Sequence, residues 1–300
     1  MTAPVLSVKN QLQEAFQHPL AEALNPWAQN YVEMRWLSSG LNPYQYEIGA
    51  AIACTNLPNL KIASVFEAMR QNHEQDLYRG VETLVVPYGN AAQAAGILAP
   101  IFGIKRIRAI FPGDKDEIED PWENTRVLDV FGHPANPYIH EFRTGPLLAK
   151  AAGGPIGLIA VAMGSCSTIV GLSRHFKRVH PDTIIIGVRP KPGECVPGTL
   201  DGEQMERLVK LPYGEAIDEL VEVSRMEALA GALALRGEIT PQPGFSSGLT
   251  YAGLMKFLSG SSSADLREVL HGRRAVFICP DDGRSYPELS CHLQFPPPPL

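Results

Sequence analysis

The sequence has few of the features that mark extracellular or metal-binding proteins. Its 300 residues include five cysteines, and no two of them form a Cys-x-x-Cys pair. An odd number of scattered cysteines favours a reduced, cytoplasmic protein over a disulfide framework. The eight histidines are scattered as well. No ligand spacing emerges from either residue type, so we expect no bound metal ion.

Long apolar runs and an excess of basic residues are also missing. No segment approaches the ~18 consecutive apolar residues of a membrane-spanning helix, and the residues after Met1 lack the basic start of a signal peptide. Lys and Arg total 26 against 32 Asp and Glu, a net charge of −6, which argues against nucleic-acid binding. A hydrophobic content of 45% predicts a folded protein.

Apolar, β-branched segments alternate with segments of helical periodicity along the chain. Two of the predicted strands contain continuous apolar runs, 158–162 and 184–188, which are typical of parallel strands covered on both faces. The alternation predicts an α/β fold with ligand sites beyond the carboxyl ends of the strands. The predicted strands are Glu82–Pro87, Lys105–Phe111, Gly157–Met163, Thr183–Pro190, Leu220–Ser224 and Ala275–Pro280. The predicted helices are 8–24, Ala63–Asn72, Asn90–Phe102, Ile139–Ala152, Ser167–Val179, Arg225–Leu235, Ser247–Leu258 and Ala264–His271.

The segment from Met163 to Thr168 follows a buried strand and opens a helix. Backbone N–H groups and hydroxyls at such a junction form a phosphate cradle, although an ordinary capped turn explains the same residues equally well. Three further junctions, at 87–90, 245–248 and 280–283, each fit a helix cap or a turn. The last of them also places a carboxylate at the edge of the sheet.

In their order along the chain, these junctions resemble the pyridoxal-phosphate-dependent cysteine synthase and cystathionine β-synthase family, the fold type II group to which the tryptophan synthase β chain also belongs. The resemblance covers roughly residues 25 to 290. The matching segments are the phosphate loop at Gly164–Thr168, the Asn-Pro…His…Thr-Gly-Pro run at 134–146, the Ser-Ser-Gly helix start at 246–248, the terminal segment 280–286 and the segment 80–90.

The resemblance implies two open three-layer α/β subdomains with mostly parallel sheets, and a homodimer. We expect residues 1–40 with 146–300 to form the larger subdomain and 41–145 the smaller. The family places a helix, a strand and a second helix between positions equivalent to Phe111 and Phe131, but only 19 residues lie there. Two average helices and a strand need roughly 28 residues. The smaller subdomain is therefore expected to be shortened at 112–130.

The same resemblance implies the cofactor site. Lys61 is the candidate for the covalent bond to pyridoxal 5′-phosphate, and Asn90 for the cofactor's ring hydroxyl. Asp282, or Asp281 in a shifted register, matches the residue that faces the pyridine nitrogen. The segment around Lys61 departs from the family's lysine motif, so a solvated lysine at a helix start stays an alternative. The candidate phosphate-binding residues are Gly164, Ser165, Cys166, Ser167 and Thr168.

Two of the family's loop glycines are replaced by Cys166 and Ser167. Backbone donation survives these changes if neither position needs a positive φ.

The substrate-binding positions differ more. Where the family has hydroxyl and amide groups for a substrate carboxylate, this chain has Tyr88, Ala91 and Val130 beside Gly89. A carboxylate without donors is costly to bury. The resemblance implies β-elimination or β-replacement on a small amino acid, with an altered carboxylate pocket. The alternative hypothesis is an inactive relative that binds pyridoxal phosphate weakly or not at all and acts through protein partners.

Overall fold

The computed structural model describes residues 19–110, 123–283, 286 and 289, which form a mixed α/β fold. Its strands are β1 Glu33–Trp36, β2 Ile48–Ile52, β3 Thr83–Pro87, β4 Arg106–Ile110, β5 Thr125–Val127, β6 Ile156–Ala162, β7 Ile184–Pro190, β8 Glu219–Val223 and β9 Arg274–Cys279. Its helices are α1 Pro19–Leu24, α2 Lys61–Glu74, α3 Asn90–Leu98, α4 Ala135–Ile139, α5 Gly145–Ala152, α6 Ser167–Val179, α7 Gly202–Leu208, α8 Arg225–Leu235, α9 Phe245–Gly260 and α10 Ser263–Leu270.

Two sheets organise these strands. The larger has six strands in the order β1-β2-β9-β6-β7-β8, and all its pairings are parallel except that of β1 with β2. The smaller has the order β4-β3-β5 and is parallel throughout. The predicted α/β class with mostly parallel sheets is confirmed. In such sheets the carboxyl ends of neighbouring strands share one edge, and the candidate site lies there.

The hydrophobic core lies on both faces of the six-stranded sheet. Along β6, Ile159 and Val161 face one cluster of buried side chains, whereas Leu158 and Ala160 face the other. The first cluster continues to the three-stranded sheet, and the second lies under α8 and α9. The continuous apolar run of β6 is thus explained, because a strand covered on both faces exposes neither set of side chains.

The six predicted strands are confirmed, and so are the helices expected after residue 60 other than 139–152, with ends that differ by a few residues. Local sequence explains several helix starts. Ser224 and Glu227 form a capping box at α8, and Asp201 and Gln204 form another at α7. The prediction of one uninterrupted helix over 139–152 was wrong, because α4 and α5 are separated by a π-helical turn at His140–Thr144.

Strands β1, β2 and β5 were not predicted from the sequence. The Ile-Gly-Ala-Ala-Ile sequence of β2 has small residues of low strand propensity, yet all five residues are buried between β1 and β9. Tertiary burial decides the conformation here. Strand β5 has only three residues and is too short for a visible alternation.

Strand β2 pairs within the larger sheet although it belongs to the range 41–145. The proposed subdomain boundaries remain a prediction. The shortened stretch 112–130 includes β5, while residues 111–122 lie outside the described residues, as do residues 1–18 and most of the chain after 283. Of the helices within the described ranges, none combines the length and the apolar character needed to cross a membrane.

Candidate active site

The carboxyl ends of β9, β6 and β3 converge with the start of α2. The amide of Leu60 donates to the carbonyl of Pro280 over 2.7 Å, and Asn59 forms an isolated β-bridge with Asp281. These contacts fix the start of α2 to the end of β9. Because β6 is the neighbour of β9, the same contacts bring Lys61 beside the loop that follows β6.

Lys61 is the first residue of α2, and its side chain reaches the loop after β6. Its Nζ donates to Ser165 Oγ over 2.6 Å. Burial of the amine lowers the pKa of Lys61 to about 8, an effect that the nearby Cys166 partly offsets. Within the described ranges no carboxylate forms an ion pair with Lys61. The amine of Lys61 is therefore easier to deprotonate than that of an ordinary lysine, and the neutral form of an amine is a nucleophile.

The loop after β6 presents hydroxyls at the start of α6. Ser165 Oγ lies 2.9 Å from Ser167 Oγ, and α6 is a helix of 13 residues whose free N–H groups point towards the loop. Cys166 precedes the helix with φ of 60°, in the left-handed region that favours glycine. The loop therefore does need a positive φ at one of the two positions where the family's glycines are replaced.

Asp281 and Asn90 meet across the two sheets. Asn90 Nδ2 donates to Asp281 Oδ2 over 3.2 Å, and the Tyr286 hydroxyl donates to the same oxygen. Burial raises the pKa of Asp281 to about 6, while the bonds from Tyr286 and Asn90 act in the opposite direction. Gly244 makes room for this carboxylate, because a Cβ at residue 244 would collide with Asp281 Oδ1.

Asp282 lies one residue further on and is only half-buried, forming an isolated bridge with Pro243. Asp281, one of the two aspartates left open by the sequence, forms a hydrogen bond with Asn90. Whether Asp281 or Asp282 faces a pyridine nitrogen stays a prediction.

The four predicted substrate-binding residues lie at the carboxyl edge of the three-stranded sheet, after β3 and β5. Tyr88 and Gly89 are exposed, and the Tyr88 side chain is 62% accessible to solvent. Ala91 and Val130 are buried in the hydrophobic core. Neither of these two supplies a hydrogen-bond donor from its side chain.

Sequence reasoning missed a buried group of hydrogen-bonded side chains behind the loop. It consists of Tyr31, Thr144, His140 and Thr168. His140 and Thr144 fall within the Asn-Pro…His…Thr-Gly-Pro run, so the signal was present in the sequence. Tyr31 carries no local signal. Among the described residues, no group of three or more His, Cys, Asp or Glu side chains is placed to hold a metal ion.

A family model described as "Pyridoxal-phosphate dependent enzyme" matches residues 113–281, just over half of the chain. The chain belongs to this family. Pyridoxal 5′-phosphate is accordingly its cofactor, and the expected family membership is confirmed. The matched range contains the loop 164–168 and Asp281 but begins after Lys61 and Asn90.

Curated relatives of this pyridoxal-phosphate-dependent family member are cysteine synthases. Cysteine synthase B of Pseudomonas aeruginosa is 28% identical over 144 residues, 44% of this chain and 48% of the relative. Cysteine synthase A of Escherichia coli is 24% identical over 198 residues, 61% of this chain and 59% of the relative. The chain thus spans about half the length of the curated relatives it matches.

Solved structures extend the similarity of fold over most of the chain. O-acetyl serine sulfhydrylase isoform 3 from Entamoeba histolytica has a TM-score of 0.69 at 18% identity, with 89% of this chain and 90% of that chain covered. A hydrogen sulfide-producing enzyme from Fusobacterium nucleatum has a TM-score of 0.71 at 13% identity, with 85% and 96% covered. The fold is therefore that of the fold type II enzymes.

The residues present fit the cofactor of this family. The loop 164–168 offers hydroxyls and helix N–H groups to a phosphate, and the Lys61 amine contacts that loop directly. On the other side, Asn90 and Asp281 supply an amide and a carboxylate. The cofactor has a phosphate, a ring hydroxyl and a ring nitrogen. The candidate partners are the loop 164–168 for the phosphate, the amide for the hydroxyl and the carboxylate for the nitrogen.

Proposed function

We propose that this chain is a pyridoxal-phosphate-dependent enzyme that catalyses β-elimination or β-replacement on a small amino acid, with Lys61 as the catalytic lysine. The observation that carries the proposal is the 2.6 Å contact between Lys61 Nζ and Ser165 Oγ. It joins the one amine at the start of α2 to the candidate phosphate loop. When bound, the cofactor supplies an electron sink that stabilises negative charge at the substrate's α-carbon.

The environment of Lys61 supports its role as the base. An amine with a pKa of about 8 is partly neutral near neutral pH. It can bind the cofactor aldehyde and later take a proton from the α-carbon of the substrate. A solvated surface lysine, the alternative reading of the sequence, would have a pKa near ~10.4.

Asp281 supports a stronger electron sink. We place it, with Asp282 as the alternative, at the pyridine nitrogen. A carboxylate there favours protonation of the nitrogen. Asn90 then binds the ring hydroxyl while it remains hydrogen-bonded to Asp281 Oδ2.

The substrate pocket is the part of the proposal that departs from the cysteine synthases. Tyr88, Gly89, Ala91 and Val130 would surround the carboxylate of the amino acid, and the two buried members are apolar. An ionic carboxylate would therefore bind less well than a neutral group of similar size. We propose a small amino acid with an altered or less demanding carboxyl end as the substrate.

The first experiment tests the lysine. The purified protein is titrated with pyridoxal phosphate, reduced with borohydride and mapped by peptide analysis. We expect a visible absorption band and a phosphopyridoxyl label on Lys61, both lost in Lys61→Ala and both retained in Lys105→Ala, whose lysine side chain is exposed. A label on other lysines, or turnover retained by Lys61→Ala, would refute the assignment.

The second experiment tests the pocket. Amino acids with a β-leaving group are compared with their carboxamides in the wild type and in Ala91→Thr, which restores a hydroxyl at the carboxyl edge of β3. We expect the wild type to accept the carboxamide at least as well as the acid. The variant should shift this preference towards the acid by about tenfold, the worth of one hydrogen bond to a charged group. An unchanged preference would contradict the proposed pocket.

The inactive relative remains the second candidate, and the burial of Ala91 and Val130 in the core favours it. It predicts that no amino acid or carboxamide changes the absorption band of the unreduced protein loaded with pyridoxal phosphate. A homodimer and a cytoplasmic location complete the proposal. The former is tested by the mass of the purified protein in solution.

A further inference from the structure

Four buried or partly buried side chains form a hydrogen-bonded chain that ends at the loop 164–168. The Tyr31 hydroxyl lies 2.8 Å from Thr144 Oγ1, and Thr144 Oγ1 lies 2.9 Å from His140 Nδ1. His140 Nε2 is 3.4 Å from Thr168 Oγ1. Tyr31, Thr144 and His140 are each no more than 1% exposed. Water therefore does not compete for these bonds.

Two backbone features create this arrangement. The π-helical turn at His140–Thr144 returns Thr144 to the imidazole four residues earlier. On the facing helix, Gly171 allows α6 to approach this turn, because a Cβ there would lie 2.5 Å from His140 Cβ. Thr168 is three residues before Gly171 and so lies on the same face of α6. The imidazole is thus fixed between the turn and the first turn of α6.

The side chains in this hydrogen-bonded group are neutral. Burial raises the pKa of Tyr31 to about 12, and burial together with the nearby Lys61 lowers the pKa of His140 to about 3. A neutral imidazole carries one N–H and one acceptor nitrogen. The position of this proton on His140 therefore sets how the hydrogen bonds run among the four side chains.

One direction satisfies every buried donor. Tyr31 donates to Thr144, Thr144 donates to His140 Nδ1, and His140 Nε2–H donates to Thr168 Oγ1. In the opposite direction, with the proton on Nδ1, Thr144 Oγ1 accepts from His140, and either the Tyr31 or the Thr144 hydroxyl proton needs another acceptor. Within the described residues these two hydroxyls have no hydrogen-bond partners other than each other and His140 Nδ1. A buried donor without an acceptor is unfavourable, so the first direction is preferred.

We propose that His140 is a positioning residue, held as the Nε2–H tautomer by Tyr31 through Thr144, and that it orients the Thr168 hydroxyl so that its proton is donated to the cofactor phosphate. This inference rests on the proposed function, since it requires the phosphate at the loop 164–168. Thr168 Oγ1 accepts from His140, which leaves its own proton for an anion. The neutral chain thereby adds a donor to the phosphate site without adding a charge.

The first test reads the tautomer directly. The full chain is labelled with ¹⁵N-histidine, and the resonances of His140 are assigned by comparison with His140→Gln. The ¹⁵N shifts of the protein without pyridoxal phosphate distinguish the two tautomers. We expect Nε2–H in the wild type, and a mixture of tautomers in Tyr31→Phe. An Nδ1–H tautomer in the wild type overturns the inference and leaves the proposed function intact.

The second test measures binding of pyridoxal phosphate, with pyridoxal as the matched ligand that lacks the phosphate. We expect Thr168→Val to weaken the binding of pyridoxal phosphate by about tenfold or more, and Tyr31→Phe to weaken it by about threefold to tenfold. The binding of pyridoxal should not change in either variant. His140→Gln offers an amide N–H near the position of Nε2, so it should bind pyridoxal phosphate better than His140→Leu does. Equal losses for both ligands would indicate a merely structural role and overturn the inference. Failure of the wild type to bind pyridoxal phosphate would refute the proposed function. The tautomer of His140 would still test the direction of the hydrogen bonds from Tyr31 to Thr168.

Discussion

The left-handed backbone at Cys166 predicts that glycine is more stable than alanine at this position, the reverse of the usual order. At most positions an alanine is more stable than a glycine by about 0.5–1 kcal/mol, because glycine loses more backbone entropy on folding. With φ of 60° at Cys166, an L-residue pays roughly 1–2 kcal/mol for its Cβ, whereas glycine does not. The difference reverses the usual order. We expect Cys166→Gly to be more stable than Cys166→Ala by about 1 kcal/mol.

Both variants lose the buried thiol, so their comparison removes the contribution of the sulfur. The free energy of unfolding is measured by urea titration of each variant, and equal m values confirm that the unfolded states are comparable. Ala230, in the middle of α8, provides the control, because Ala230→Gly should destabilise the protein by about 1 kcal/mol. If Cys166→Ala is as stable as Cys166→Gly, the loop does not hold a left-handed residue at 166.

Three further predictions concern the site. Because the pKa of Asp281 is raised from 3.8 to about 6, the folded state binds more protons between these pH values, so the free energy of unfolding should fall by about 3 kcal/mol as the pH rises through that window. Asp281→Asn should remove this fall in urea titrations at pH 4 to 7, and an unchanged profile would contradict the burial of the carboxyl. The rate of adduct formation between Lys61 and pyridoxal phosphate should rise with pH with a midpoint near 8, and a midpoint near 10 in stopped-flow absorbance would show an ordinary lysine. Gly171→Ala should destabilise the protein by about 1–3 kcal/mol in urea titrations through its collision with His140, whereas Gly260→Ala, where a Cβ meets nothing within 4 Å, should not.

The fold was largely predictable because its central strands are continuous apolar runs. A segment such as 158–162 has only one stable environment, between two helical layers. Strand β2 was not predictable in the same way, because its small residues favour no particular state and become a strand only between β1 and β9. The limit lies in local sequence, which carries no information about the neighbours that a segment acquires on folding.

The candidate site was predictable as a set of junctions but not as a geometry. The sequence left Asp281 and Asp282 as alternatives because adjacent residues differ only in which way they face. The structure brings Asp281 to Asn90, and the choice at the pyridine nitrogen stays a prediction. The sequence also did not show whether Cys166 or Ser167 adopts a positive φ, since φ depends on how the loop joins β6 to α6. The hydrogen-bonded chain behind the loop was hidden because the contact of His140 with Thr144 depends on a π-helical turn.

The residues of the candidate site are distributed over two sheets. Lys61, the candidate phosphate loop and Asp281 belong to elements joined to the six-stranded sheet. The candidate cofactor residue Asn90 follows a strand of the three-stranded sheet, as do Tyr88, Ala91 and Val130. Hydrogen bonds from Asn90 to Asp281 and from Asn59 to Gln93 join the two sides. Under the proposed roles, substitutions at Tyr88, Ala91 or Val130 would alter which molecule is recognised while Lys61 and the loop 164–168 stay in place. A lineage with the proposed arrangement would exchange one substrate for another by small steps while it keeps the lysine and the loop proposed to hold the cofactor.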